Sequence, residues 1–248
     1  MSVHEVIKQL PAITTVRDRS RALAMLDAVL SPEWEWRYYS FDSRWSPGEE
    51  VASMRDGAGN DYAIVFSAAG VYAQACDHES PMSPYHVAPP APWPGLFDSV
   101  PDVFRHYVDE PAFADHNGLP RATVCFWRES SDSQWRCGEV HVPDEDMDDA
   151  DGAEWLFDVF IAGSAEAYRE FAEEVYEVTL DLAAVHGSCW CCTRRRISWS
   201  AHAGHGNLRH LVLRAFAWWP CRSGPGSPGS RRGGCRPSRS GTPRCRAG

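Results

Sequence analysis

The charge of the chain changes abruptly at Val185, and this break limits what each part can fold into. Residues 1–185 contain 12 Lys+Arg and 34 Asp+Glu, a net charge of −22, whereas residues 186–248 contain 12 Arg and no acidic residue. The second part is rich in Gly, Pro, Ser and Arg, and after residue 219 it has too few apolar residues to form a core. We therefore predict a single acidic domain over 1–185 and a disordered tail over 186–248.

The composition of the tail favours a shifted reading frame as its origin. Residues 1–185 contain 11 arginines against one lysine, Lys8, which indicates a GC-rich gene. A shift of one nucleotide moves the G and C of third codon positions into first or second positions, and translation then yields mainly Arg, Gly, Pro, Ala, Ser, Cys and Trp. These residues dominate 186–248. The alternative is a genuine basic segment, since tails of biased composition do exist.

The nucleotide sequence tests the shifted frame directly. Reading the other two frames from codon 183 onward is expected to give an acidic, amphipathic continuation before a stop codon in one of them. If neither frame does so, the tail is a genuine segment.

The stretch CWCCTRRRISWSAHAGHGNLRH, residues 189–210, contains the atoms of a zinc site without its spacing. Structural zinc sites take four Cys or His ligands from spaced pairs held on turns and helices. Here the candidate ligands are crowded and no periodic pattern supports them: Cys189, Cys191, Cys192, His202, His205 and His210. The arginines resemble a nucleic-acid-binding arm, but such arms usually mix Lys with Arg. We therefore expect no metal and no cofactor.

Several classes of protein are disfavoured by the first 185 residues. The N-terminus has charged residues within its apolar stretch, which is not typical of a secretory signal, and no run approaches 18 apolar residues. We therefore expect a cytoplasmic protein that does not enter the membrane, with Cys76, Cys125 and Cys137 as reduced thiols. A net charge of −22 repels phosphate backbones and attracts basic proteins. The expected partner is a basic protein, and nucleic-acid binding by residues 1–185 is disfavoured.

The spacing of apolar residues predicts helices at the start of the chain and strands after them. Residues 15–30 have helical periodicity, with Thr15 and Asp18 as a capping box, Asp27 on the apolar side, and an end at Ser31-Pro32. A shorter helix is predicted over 3–10. Alternation or apolar runs predict strands over 33–41, 50–56, 61–69 and 71–77, the third of them central.

The second half of the domain mixes loops, a hairpin and further helices. The patterns predict an extended proline-rich loop over 78–96, a helix over 102–108, a hairpin around 130–133, and a buried strand or helix in EWLFDVFIA at 154–162. Ser164 caps a predicted long amphipathic helix with acidic residues on its wet face. We therefore predict an α+β fold, with an antiparallel sheet packed against N-terminal and C-terminal helices. The tryptophans are predicted to lie in the core, with Trp93 between prolines as the exception.

One cluster of titratable residues is a candidate site. CDHESPMSPYH places Asp77, His78, Glu79, Tyr85 and His86 at a strand end and in the proline-rich loop. His78, Glu79 and His86 have the side chains of a metal site or of an acid–base pair. The alternative is that these side chains are half exposed and bond only to nearby backbone. No GxSxG, HExxH or phosphate-loop motif is present.

The acidic run DEDMDDADGAE at 144–154 is a second candidate. It fails the calcium-binding pattern, because an EF-hand that starts at Asp144 requires Gly and Glu where Asp149 and Trp155 stand. The run is either a solvated loop or a recognition surface for a basic partner, and its candidate contacts are Asp144, Asp146, Asp148 and Asp149.

Residues 1–185 resemble a family of conserved hypothetical bacterial cytoplasmic proteins that have no characterised activity. The resemblance lies in LSPEWEWRYYSFDSRWSPGEEVASMRDGAGNDYAIVFSAAGVYAQACDHESPMSPY, in PWPGLFDSVPDVFRHYVDEPAF and in CFWRESSDSQWRCGEV. The domain is also similar in general character to acidic immunity proteins of bacterial toxin systems. We therefore expect a non-enzymatic binding protein that resembles immunity proteins in recognising a basic partner. The alternative is a small metal-dependent or acid–base enzyme that uses His78, Glu79 and His86.

Overall fold

The computed structural model describes residues 1–141 and 148–189 and two short strands, β7 (Ser198–Ser200) and β8 (Arg214–Phe216), with side chains described up to residue 186. The described residues belong to one compact unit, Met1–Ala217. The helices are α1 (Val3–Gln9), α2 (Ile13–Leu30), α3 (Arg105–Val108), α4 (Ala153–Ala162), α5 (Ala165–Val175) and α6 (Leu182–Cys189). The other strands are β1 (Tyr39–Ser46), β2 (Glu49–Arg55), β3 (Asp61–Ser67), β4 (Gly70–Cys76), β5 (Val124–Glu129) and β6 (Arg136–Cys137).

The predicted α+β fold is confirmed. Strands β1 to β6 form one antiparallel sheet in sequence order, so each strand pairs with the one before it through a short connection. Both neighbours of β3 are paired along its length, which makes it central as predicted. Among the residues that the structure describes, no helix has the length and apolarity needed to cross a bilayer.

The two faces of the sheet are covered differently, because alternate side chains of a strand point to opposite faces. One face, with Met54, Tyr62, Ile64 and Phe126, packs against the N-terminal and C-terminal helices. The other face carries Val65, Tyr72, Cys125 and Trp127, which pack against Met82, Leu96, Phe104 and Tyr107 from the proline-rich loop and α3. That loop is irregular as predicted, apart from a 3₁₀ turn at Pro84–His86, and it serves as a covering layer for the sheet.

The prediction of a strand over 33–41 is wrong for its first half. Residues Trp34–Trp36 form a 3₁₀ turn, in which the N–H groups of Trp36 and Arg37 donate to the carbonyls of Glu33 and Trp34. These backbone groups are satisfied locally, so the strand begins only at Tyr39. Trp34 and Trp36 are 59% and 70% exposed, which corrects their assignment to the core.

Two helix boundaries also differ from the sequence prediction. Helix α2 starts after Ala12, whose carbonyl accepts from Thr15 and Val16, so Thr15 lies inside the helix and the predicted capping box is absent. Its end at Ser31 is confirmed. The long C-terminal helix is capped by the Ser164 hydroxyl as predicted, but it is divided into α5 and α6 by Glu177, which has a φ of 51°.

The ambiguous buried segment EWLFDVFIA is a helix, α4. Its first turn is anchored by carboxylates: Asp149 accepts from the N–H groups of Glu154 and Trp155, and Asp151 accepts from those of Val3 and Ala153. Asp151 is fully buried and thereby joins α4 to the start of α1. Carboxylates are favourable at this position, because they accept hydrogen bonds from the free N–H groups of the first turn and interact with the positive end of the helix dipole.

A second buried carboxylate, Asp27 of α2, joins this helix to β1 and to α5. Its two oxygens accept from the backbone N–H of Tyr39 at 2.6 Å and from the hydroxyls of Tyr168 and Tyr176, both at 2.7 Å. These donors lie on β1, on α5 and at the C-terminal end of α5. Burial raises the pKa of Asp27, an effect that the three hydrogen bonds oppose.

Candidate functional site

The predicted titratable cluster is only partly assembled. The imidazole Nε2 of His78 lies 3.9 Å from Glu79, while its Nδ1 lies 2.8 Å from the side-chain oxygen of Asn60. His86 is exposed, and no contact that the structure describes joins it to either residue. Within the described residues, no group of three or more His, Cys, Asp or Glu side chains is placed to hold a metal ion. The enzyme alternative therefore stays a prediction that rests on the pair His78 and Glu79.

The neighbouring candidates have structural contacts. Asp77 accepts from the backbone N–H of Glu79 and from the indole of Trp155, which ties the end of β4 to α4. The Tyr85 hydroxyl lies 3.4 Å from a carboxylate oxygen of Asp115 and is otherwise exposed. These contacts explain the positions of both residues without a ligand, and their role in binding stays a prediction.

The acidic run is divided by the structure. Asp144 and Asp146 lie outside the described residues, Asp148 is exposed, and Asp149 caps α4 through the two hydrogen bonds given above. The end of the run thus contributes to the fold, because its carboxylates take up backbone donors that a helix leaves unpaired. The zinc candidates of the tail, apart from the helical backbone at Cys189, also lie outside the described residues.

The three described cysteines are free thiols with raised pKa values. Burial raises the pKa of Cys76 to about 11 and that of Cys125 to about 12, so both thiols are protonated at neutral pH. Cys137 pairs with Phe126 across the predicted hairpin, so the side chain of Cys125 points to the opposite face of the sheet. Cys76 and Cys125 are therefore part of the packing.

A row of exposed carboxylates lies along α5. Glu166, Glu170 and Glu174 are spaced four residues apart and are exposed, so they share one side of the helix. We call these three residues the acidic face. Glu166 contacts His186 at 3.0 Å, and within the described residues Glu170 and Glu174 have no cation within 4 Å.

Most arginines of the described residues are held by contacts within the fold. Arg17 and Arg21 share Glu50, and Arg121 pairs with Asp61 at 2.6 Å. Others donate to backbone carbonyls: Arg19 to Phe160 and Ile161, Arg37 to Ser31 and Pro32, Arg105 to Phe97 and Asp98, and Arg128 to Asp132. Most of these arginine side chains thus contact other groups of the domain, while many carboxylates face solvent.

The structure also contains an open cleft of about 870 Å³ that the sequence did not indicate. Its lining comes from strands β1 to β4, from α2, from the 3₁₀ turn at Trp34–Trp36 and from the segments around Phe113 and Arg121. Its lining includes four arginines and two aspartates: Arg21, Arg37, Arg55, Arg121, Asp42 and Asp61. Only long-range packing brings these residues together.

The described residues form an α+β fold with a six-stranded antiparallel sheet, an exposed acidic face on α5 and a cleft whose lining includes arginines. No family model, curated protein or solved structure matches the chain.

Proposed function

We propose that this chain is a non-enzymatic binding protein, immunity-like in character, whose acidic face recognises a basic protein partner. The observation that carries the proposal is the row of exposed carboxylates on α5, set in a domain whose arginines are mostly engaged elsewhere. Such a surface presents an uncompensated negative potential, which speeds encounter with cations and selects against anionic partners.

Two residues of the acidic face, Glu170 and Glu174, do not stabilise their own helix. Like charges four residues apart repel, and a carboxylate near a helix C-terminus opposes the helix dipole. Glu174 lies in the last turn of α5, which has no basic residue. Arg169 on the same helix has a buried Nε and forms no ion pair among the described residues. A cationic partner would remove this repulsion, so binding and helix stability favour the same complex.

A matched pair of triple variants tests the proposal. The first replaces Glu166, Glu170 and Glu174 with glutamine. The second replaces the exposed Asp98, Asp102 and Asp109 with asparagine and therefore has the same net charge. With fluorescein-labelled deca-arginine as the probe, we expect the first variant to bind about tenfold more weakly than the unmodified chain, since exposed ion pairs contribute about 0.5 kcal/mol each. Fluorescence anisotropy at fixed ionic strength measures both.

The asparagine variant is the control for non-specific attraction. It is expected to keep the affinity of the unmodified chain within about twofold, because its charges lie away from α5. Equal weakening by the two variants would show that deca-arginine responds to net charge alone, and the proposed acidic face would then be wrong.

A further inference from the structure

The cleft beside β1 has the opposite charge character to the rest of the domain. Its lining has four arginines and two aspartates, whereas residues 1–185 carry a net charge of −22. Two of the arginines form ion pairs, Arg121 with Asp61 and Arg21 with Glu50, which Arg17 shares. The other two, Arg37 and Arg55, have no carboxylate within 4 Å among the described residues.

These two arginines are held in place by contacts with the segment between α2 and β1. Arg37 donates to the carbonyls of Ser31 and Pro32 at 2.8 and 2.6 Å, which fixes its guanidinium after the end of α2. Arg55 donates to the carbonyl of Trp34, and its Cζ lies 3.9 Å from the centre of the Trp34 ring. A guanidinium has five N–H donors, so these contacts leave donors on both residues for a ligand.

Apolar surface lies next to the two arginines. Trp34 is 59% exposed, and the lining continues over Met25, Ala28 and Phe41. At the other end, the rings of Trp45 and Phe113 stack with centres 5.5 Å apart. Pockets for small molecules combine apolar and aromatic walls with a few placed polar groups, in volumes of roughly 300–1,000 Å³. The cleft fits this description in size and in lining.

We propose that the cleft binds a small organic carboxylate with a flat, apolar body. The carboxylate accepts hydrogen bonds from Arg37 and Arg55, for which the planar guanidinium is well suited, and the body lies against the indole of Trp34 and the apolar wall. The cleft and the acidic face prefer ligands of opposite charge, because the acidic face attracts cations and the cleft attracts an anion. A protein with both surfaces binds a basic partner and an acidic small molecule at different places.

Two probes of the same shape test the cleft. In isothermal titration calorimetry, 2-naphthoate is expected to bind one site about tenfold more tightly than 2-naphthamide, which keeps the ring and lacks the charge. The double variant Arg37→Gln/Arg55→Gln is expected to remove this preference. Arg44→Gln/Arg136→Gln, which changes two exposed arginines outside the cleft, has the same net charge and is expected to keep it.

The measurement separates the proposal from simple hydrophobic binding. Equal affinity for the two probes, a preference that survives the cleft variant, or no binding of 2-naphthoate at millimolar concentration would each overturn it. If the double variant unfolds, the single variant Arg55→Gln replaces it, because the Arg55 side chain lies over an exposed ring and its strand pairing uses only backbone groups. Near-UV circular dichroism verifies that each variant is folded.

Discussion

Replacing Asp27 with alanine is expected to lower the free energy of unfolding by about 3 kcal/mol, because it leaves two buried donors and one half-buried donor without their acceptor. The backbone N–H of Tyr39 and the hydroxyls of Tyr168 and Tyr176 all donate to this carboxylate. Asp27 and Tyr168 are fully buried, so water cannot readily replace the lost bonds there. Equilibrium unfolding in urea measures the loss.

Single-donor variants are the matched controls for Asp27. Tyr168→Phe and Tyr176→Phe each remove one hydroxyl and keep the acceptor, and each is expected to cost about 1 kcal/mol. If Asp27→Ala costs no more than either of them, Asp27 does not join the three elements as described.

The Asp27 cluster also predicts a pH dependence. Burial raises the pKa of Asp27, so the stability due to its protonated form is complete below the unfolded-state pKa and is lost as pH rises through the folded-state pKa. The difference in free energy of unfolding between the unmodified chain and Asp27→Asn is therefore expected to shrink as pH rises from that unfolded value. A difference that grows with pH would contradict this sign.

Gly70→Ala is expected to lower the free energy of unfolding by about 3 kcal/mol or more, since the new methyl group meets backbone. Gly70 begins β4 and has a φ of 140°, a conformation that residues with a side chain rarely adopt. A Cβ at this position would lie 2.2 Å from the carbonyl oxygen of Arg128 and 2.8 Å from the Cα of Glu129. The neighbouring strand β5 would have to move, and with it the buried side chains of Cys125 and Trp127.

Gly57→Ala separates the two parts of this effect. Gly57 also has a positive φ, 78°, but nothing lies within 4 Å of the Cβ that would be added. Its substitution is expected to cost about 1 kcal/mol from backbone conformation alone. If Gly57→Ala and Gly70→Ala lower the free energy of unfolding in urea by similar amounts, the close approach of β5 to Gly70 does not contribute to the cost of the substitution.

The sequence predicted the elements whose signal is local. Strands β2, β3 and β4 were predicted from alternating apolar residues and from glycine turns. The apolar run EWLFDVFIA allowed either a strand or a helix, and the structure has a helix, α4. The strand prediction failed at Trp34 and Trp36, because alternating aromatics also fit a 3₁₀ turn whose backbone bonds are satisfied locally. The position of Asp27 on the apolar side of a predicted helix was a sign that this carboxylate is buried. Its three hydrogen-bond partners could not be predicted, because they lie on other elements of the fold.

The candidate sites also differ in whether the sequence could predict them. A row of glutamates at helical spacing can be recognised in a sequence, although the break after α5 at Glu177 shortened the predicted helix. The cleft could not be predicted, since Arg37, Arg55 and Arg121 come together only through the packing of α2, the sheet and the segment around Phe113. Asp77 and Asp149 illustrate the opposite problem, because residues that have the chemistry of a site also cap and join elements.

A map of where a basic probe binds tests most directly whether α5 is the surface that recognises a basic partner. In ¹⁵N–¹H correlation spectra of the unmodified chain titrated with deca-arginine, we expect the largest shift changes on residues 165–181 and little change around Asp98 to Asp109. Changes spread evenly over exposed carboxylates, or centred away from α5, would contradict it.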